Sequence, residues 1–143
     1  MAYATTSDLI RRFGQQELIR LTTPAGEDMD GVVTATSDAA LADASALMDG
    51  YLRQHYAVPL SPVPADANRV CCDIARYDLS TGDGKSPGDD VKGRHTAALR
   101  WLADIAAGKV RLDVVALDAG EESFAMVKDR SADAAPFGAG RWL

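Results

Sequence analysis

The loop Gly26-Glu27-Asp28-Met29-Asp30-Gly31 carries the acidic spacing that invites a bound calcium ion. An EF-hand loop wants oxygen ligands at its first, third and fifth places, glycine at the sixth and a bidentate Glu at the twelfth. Asp28, Asp30 and Gly31 fit the third, fifth and sixth places. Gly26 and Ser37 stand at the first and twelfth, so one anionic ligand and the bidentate one are missing. The stretch reads as a solvated acidic turn, and no metal is expected. The run Gly82-Asp83-Gly84-Lys85-Ser86 echoes a phosphate loop in the same superficial way. G-x-x-x-x-G-K-[ST] requires glycine at 79 and 84 after a hydrophobic strand. Leu79 stands at the first of these and no such strand precedes it, so the run reads as a flexible loop without nucleotide.

Nucleophilic catalysis would need a histidine close to Ser or Cys, with a carboxylate to orient it. His55 and His95 are the two histidines. Cys71 and Cys72 sit within a helical pattern without flanking glycine turns. Adjacent cysteines would close a strained ring, so no disulfide is expected, and at least one thiol should face the core. His95 falls on an apolar helical stripe and reads as a core or interface residue. His55 falls at a helix C-terminus, where a cation is favoured. The chain is therefore read as non-enzymatic, without catalytic residues, metal or cofactor.

These residues must be positioned by helices. Thr6-Ser7-Asp8 before Leu9-Ile10-Arg11-Arg12-Phe13-Gly14 predicts a short helix capped by Ser7 or Thr6 and stopped by a left-handed Gly14. Residues 15–21 predict a second, ended before Pro24, and 23–36 an exposed loop. Over 37–54, Leu41, Ala44, Met48, Tyr51 and Leu52 form a stripe of helical period, with Ser37 or Thr36 as cap. Pro59, Pro62 and Pro64 make 57–64 a rigid connector that fixes the angle to the next helix. Residues 65–79 and 89–107 give two further helices, the last striped by Val91, His95, Ala98, Leu99, Leu102, Ile105 and Ala106 and closed by Gly108.

Beyond Gly108 the pattern changes. Val110-Arg111-Leu112-Asp113-Val114 alternates as a short strand would. Residues 118–143 are rich in Gly, Ala, Asp and Ser, too poor to build a core, yet carry isolated aromatics. The expected architecture is an all-α bundle of four to five helices over 3–109, with an extended, β-capable C-terminal arm over 110–143. The arm residues Phe124, Arg130, Phe137, Arg141, Trp142 and Leu143 belong to types that dominate interface energies. Trp101 lies off the Leu99/Leu102 stripe, where it either widens the core face or anchors a subunit contact; all seven are the candidate interface residues.

At 143 residues the chain can bury one core without staples. That core is alanine-rich and poor in aromatics, which at 6% promises modest burial until partners cover it. Fifteen basic against twenty-one acidic side chains give a net charge of -6, and no basic run is present. Binding to phosphates needs concentrated Lys and Arg, so nucleic-acid recognition by one subunit is disfavoured. The N-terminus has no basic stretch followed by an apolar one, and no apolar run approaches bilayer length, so a soluble intracellular protein is expected.

The segment 3–22, the stretch Ala42–Ser45 to Asp49-Gly50-Tyr51-Leu52 with Tyr56-Ala57-Val58-Pro59-Leu60, the block Cys72–Leu79 and the block Ala98–Val110 resemble, in that order, a family of small Mu-like phage and prophage virion proteins. The family is similar to the helical head–tail connector (adaptor) proteins beneath the portal of tailed phages. This resemblance implies a homo-oligomeric ring, commonly of twelve copies, in the virion neck. Its partners would be the portal protein and tail-completion or tail-terminator proteins, with DNA passing through unread and no membrane contact. It also implies C-terminal arms that reach neighbours; past residue 120 only a loose Arg130, Phe137, Arg141 pattern matches. A tail-completion or terminator protein is the rival within the same class, and a DNA-associated packaging module the rival outside it.

Overall fold

The computed structural model describes residues 2–82 and 84–117. Five helices follow in order: α1 Thr6–Phe13, α2 Gln15–Thr22, α3 Thr34–Leu52, α4 Ala65–Leu79 and α5 Asp89–Ala106. They form an all-α bundle in which α3, α4 and α5 pack on one another and the short α1 and α2 close one side. Among the described residues no helix is long and apolar enough to cross a membrane.

Local chemistry fixes each helix end, in places differently from the expectation. Thr5, one residue ahead of the expected cap, starts α1. Its hydroxyl accepts from the Asp8 N–H at 3.2 Å while the Asp8 carboxylate accepts from the Thr5 N–H at 2.9 Å. This reciprocal box needs an acid three residues after the cap, and only Thr5 has one. Thr6 is left free to reach Ser37 and Asp38 on α3. Gly14 does have a positive φ of 95°, but its ψ of 148° is extended rather than left-handed helical, and it turns the chain straight into α2.

Helix α3 begins at Thr34, ahead of the expected 37. Neither Ser37 nor Thr36 caps it. Ser37 is fully buried and its hydroxyl donates back to the Thr34 carbonyl at 3.0 Å. The entry is held instead from α2, where the Thr22 hydroxyl accepts from the Val33 N–H at 2.9 Å. Helix α4 spans the expected residues, and α5 ends in a Schellman turn. Gly108 there has φ 83°, with the Gly108 N–H on the Ile105 carbonyl and the Lys109 N–H on that of Asp104.

Leu41, Ala44, Met48 and Leu52 of α3 meet Ala67, Val70, Cys71, Ile74 and Ala75 of α4, all buried. Ala98, Leu102 and Ile105 close the third side. The small side chains let the helix axes approach, which compensates the scarcity of aromatics with dense contact.

The alternation at 110–114 forms no strand. Leu112 is buried, with Val110 and Val114 packed against the core edge, so the period of two records one face of an extended segment laid on the helices. Tyr56 holds it: its hydroxyl accepts from the Leu112 N–H at 2.8 Å, and its backbone makes an isolated antiparallel bridge to Ala116.

Tyr3 anchors the other terminus. Its ring is buried and its hydroxyl donates to Asp49 of α3 while accepting from the Leu60 N–H at 3.1 Å. Its backbone N–H donates to Ser45 at 2.9 Å and its carbonyl accepts from Asn68 at 3.1 Å. Tyr3→Phe keeps the packing and strips the hydroxyl, leaving a buried N–H unpaired. We expect a loss of about 1–3 kcal/mol in folding stability, read as a lower urea midpoint at unchanged slope.

Candidate interaction surface

The groups that could have done chemistry are occupied by the fold. Cys71 and Cys72 are both fully buried. Burial raises both thiols, Cys72 to about 12 with Cys71 beside it, so neither offers a thiolate. His95 is half-buried and stacks on Tyr77 of α4 with ring centroids 3.8 Å apart. His55 lies just past α3, and its Nε2 meets the Ala106 carbonyl at the end of α5 at 3.0 Å. Lys85 donates to the Leu21 carbonyl at 2.9 Å and thereby satisfies the C-terminal end of α2, a capping role in place of a phosphate-binding one. Residues 26–30 are exposed in a turn.

The ionic clamp that joins the helices was not read from the sequence. Arg76 of α4 holds Glu17 of α2 through two hydrogen bonds, 2.6 and 3.1 Å, reaches Asp90 of α5 at 3.4 Å, and lies over the Phe13 ring at 4.3 Å. Asp90 in turn meets Arg94. The spacing of Asp90 and Arg94, like that of Arg69 and Asp73, is a helix-face signal. Nothing local announces that Glu17 will meet Arg76.

Asp73 lies under this network, 3% exposed, with Arg69 at 3.6 Å and Arg94 at 4.0 Å. Its Oδ1 accepts no hydrogen bond among the described residues. Burial raises its carboxyl above the ordinary range, against the pull of Arg94, Arg69, Arg12 and Arg76. Asp8 shows the opposite balance. Burial would raise it, but hydrogen bonds from Asn68, the Thr5 N–H and Arg11 hold it at about 2.

Of the candidate interface residues, Trp101 alone lies within the described part; Phe124, Arg130, Phe137, Arg141, Trp142 and Leu143 fall outside it. Trp101 is half-buried at the core edge. Beyond it opens a groove of about 400 Å³ between the proline connector and the segment after α5, lined by Pro62, Pro64, Trp101, Val110 and Leu112 among others. The next stretches of the same two segments, around Pro59, Leu60 and Leu117, border a second hollow of about 360 Å³. Val115 stands there 90% exposed. The connector carries cis peptides at Val58–Pro59 and Ser61–Pro62. This is the face with the character of an interaction surface: an aromatic and prolines beside an exposed apolar side chain.

The Asp73 geometry has a measurable consequence. A folded-state pKa raised above the unfolded value of about 3.9 favours the protonated form in the fold. That contribution is full below the unfolded value and lost as pH rises through the folded one. Asp73→Asn removes the titration, while Asp8, with the opposite sign, is common to both chains and cancels. The variant should therefore gain on the parent as pH rises from the unfolded value of about 3.9 through the raised folded one, read in paired thermal melts. Parallel profiles would show that Asp73 does not titrate differently in the fold.

Comparison with known proteins connects this fold to phages. Residues 3–128 match the family described as Bacteriophage Mu, Gp36. The chain is 36% identical over 110 residues to "Gene product J" of Escherichia phage Mu, covering 76% of this chain and 74% of that one. It is 33% identical over 111 residues to "Mu-like prophage FluMu protein gp36" of Haemophilus influenzae, covering 77% and 74%. The match extends past the bundle and the groove-lining segment 110–117. This chain belongs to the Mu Gp36 family of phage and prophage proteins.

Proposed function

We propose that the chain is a structural, non-enzymatic virion protein that acts as a head–tail connector (adaptor). Copies would form a ring below the portal, in the neck, and extend the DNA channel. The observation that carries this reading is the family match over 3–128 on an all-α bundle. Two features support it. The histidines, the cysteines and Lys85 are committed to stacking, capping and core packing. The groove beside Trp101 is a surface that association would cover.

The mechanism in this reading is assembly. Side-to-side packing of identical subunits through unlike surfaces closes into a ring when the rotation between neighbours closes. Residues 110–143 supply the contacts to neighbours, to the portal on one side and to tail-completion or tail-terminator proteins on the other. A net charge of -6 keeps the duplex from sticking as it passes.

Light scattering of the purified protein, alone and mixed with portal assemblies, tests the proposal. The expected outcome is a complex of defined mass containing several copies per portal. A strict monomer that ignores portal and tail components would overturn it. In gel-shift titrations at physiological salt no tight DNA complex is expected; one would favour the packaging-module reading instead.

A further inference from the structure

Arg12 of α1, Arg69 of α4 and Arg94 of α5 come from three helices to the surroundings of one buried carboxylate, Asp73. Arg69 and Arg94 stand 3.6 and 4.0 Å from it, and Arg12 donates to Asn68, the residue before Arg69, at 3.0 Å. All three arginines are exposed, and the Asp73 Oδ1 accepts no hydrogen bond among the described residues. A guanidinium carries five N–H donors, so most of this donor capacity is left to solvent. Acceptors of matching charge stand elsewhere on the chain. Glu27, Asp28 and Asp30 are exposed in the loop between α2 and α3, and none joins an ion pair among the described residues. Met29 in the same loop is 63% exposed. Phe13, next to Arg12 in the chain, is half-buried with Arg76 over its ring.

We propose that Arg12, Arg69 and Arg94 receive the 27–30 loop of a second copy of this chain, its carboxylates on the guanidinium groups and Met29 against Phe13. Charge complementarity selects this occupant. Carboxylates meet guanidinium groups through paired, charge-assisted hydrogen bonds, and a thioether packs favourably at an aromatic edge. A DNA duplex is the poorer fit, because phosphate binding needs concentrated cations, and Asp8 and Asp90 are interleaved with these. The two surfaces are unlike, so every copy offers one of each. Such a contact is heterologous and closes into a ring when the rotation allows. Exposed ion pairs are individually weak, so one contact is transient in dilute solution and a closed assembly multiplies it. The inference rests on the assembly reading, for which it supplies a contact between subunits.

Disulfide trapping between full-length chains detects a transient contact. Chains carrying Met29→Cys are mixed with chains carrying Arg69→Cys and mildly oxidised. The native thiols are fully buried and do not compete. A linked dimer of the two variants should form at least several-fold faster than in a control mixture of Met29→Cys with Ala46→Cys, whose thiol would be exposed on α3. Arg12→Cys in place of Arg69→Cys should show the same preference, which guards against a folding defect in either variant. Raising the ionic strength to about 1 M, where the screening length is about 3 Å, should remove most of it. Equal rates in all pairings, or no linked dimer, would overturn the proposal. A tight duplex complex that Arg69→Cys abolishes would do so too, by assigning the arginines to DNA. Portal complexes formed by a chain without this linking preference would sink the contact and leave the connector reading standing. Preferential linking in a protein that ignores portal assemblies would uphold the contact and sink the connector reading alone.

Discussion

The hydroxyl of Tyr3 gathers the start of the chain, the C-terminal half of α3 and the proline connector at one buried point. Through Ser45 and Asn68 the same residue's backbone ties α3 to α4. An alanine-rich core gains little per side chain, so the geometry of helix approach must be set by something more directional than area burial. Hydrogen bonds supply it. They seat the N-terminal segment so that Leu9, Leu18 and Leu21 cover the α3–α4 seam, and they hold the connector against the bundle. Tyr56 does the corresponding work for the segment after α5.

Charge serves the fold first. Arg76 is pinned by Glu17 and Asp90, Arg11 pairs with Asp8, and Arg94 and Arg69 flank Asp73. The clamp crosses α2, α4 and α5, so it fixes how the short N-terminal helices sit on the long ones. Asp73 is its least comfortable member: a carboxylate out of water whose cations stand beyond hydrogen-bond distance. Breaking a buried ionic group costs more than forming it gains, which makes such a position a determinant of arrangement more than of net stability.

The proline–tryptophan groove lies between the connector and the segment after α5, with Asp66, Arg111 and Asp113 beside its apolar residues. The acidic loop 26–31 projects from the same compact frame, its carboxylates in solvent, where they cost nothing and raise solubility.

The sequence by itself determined the five helices, the stopping role of Gly108, the burial of at least one cysteine and the failure of the calcium, nucleotide and hydrolase patterns. Those rest on period, capping chemistry and missing ligands, all local. Cap identity at α1 and the start of α3 needed tertiary partners, because Ser37 is drawn inward by Thr6 and by its own backbone, and Thr22 rather than a local side chain holds the helix entry. The alternation at 110–114 looked like a strand because an extended segment on a bundle buries every second residue just as a sheet does. Tyr3, the Glu17–Arg76 pair and the groove were invisible, since each joins residues tens of positions apart whose separate types carry no mark of the meeting. Only the packed structure decides which distant groups lose their water together, and that shared loss is what makes them partners.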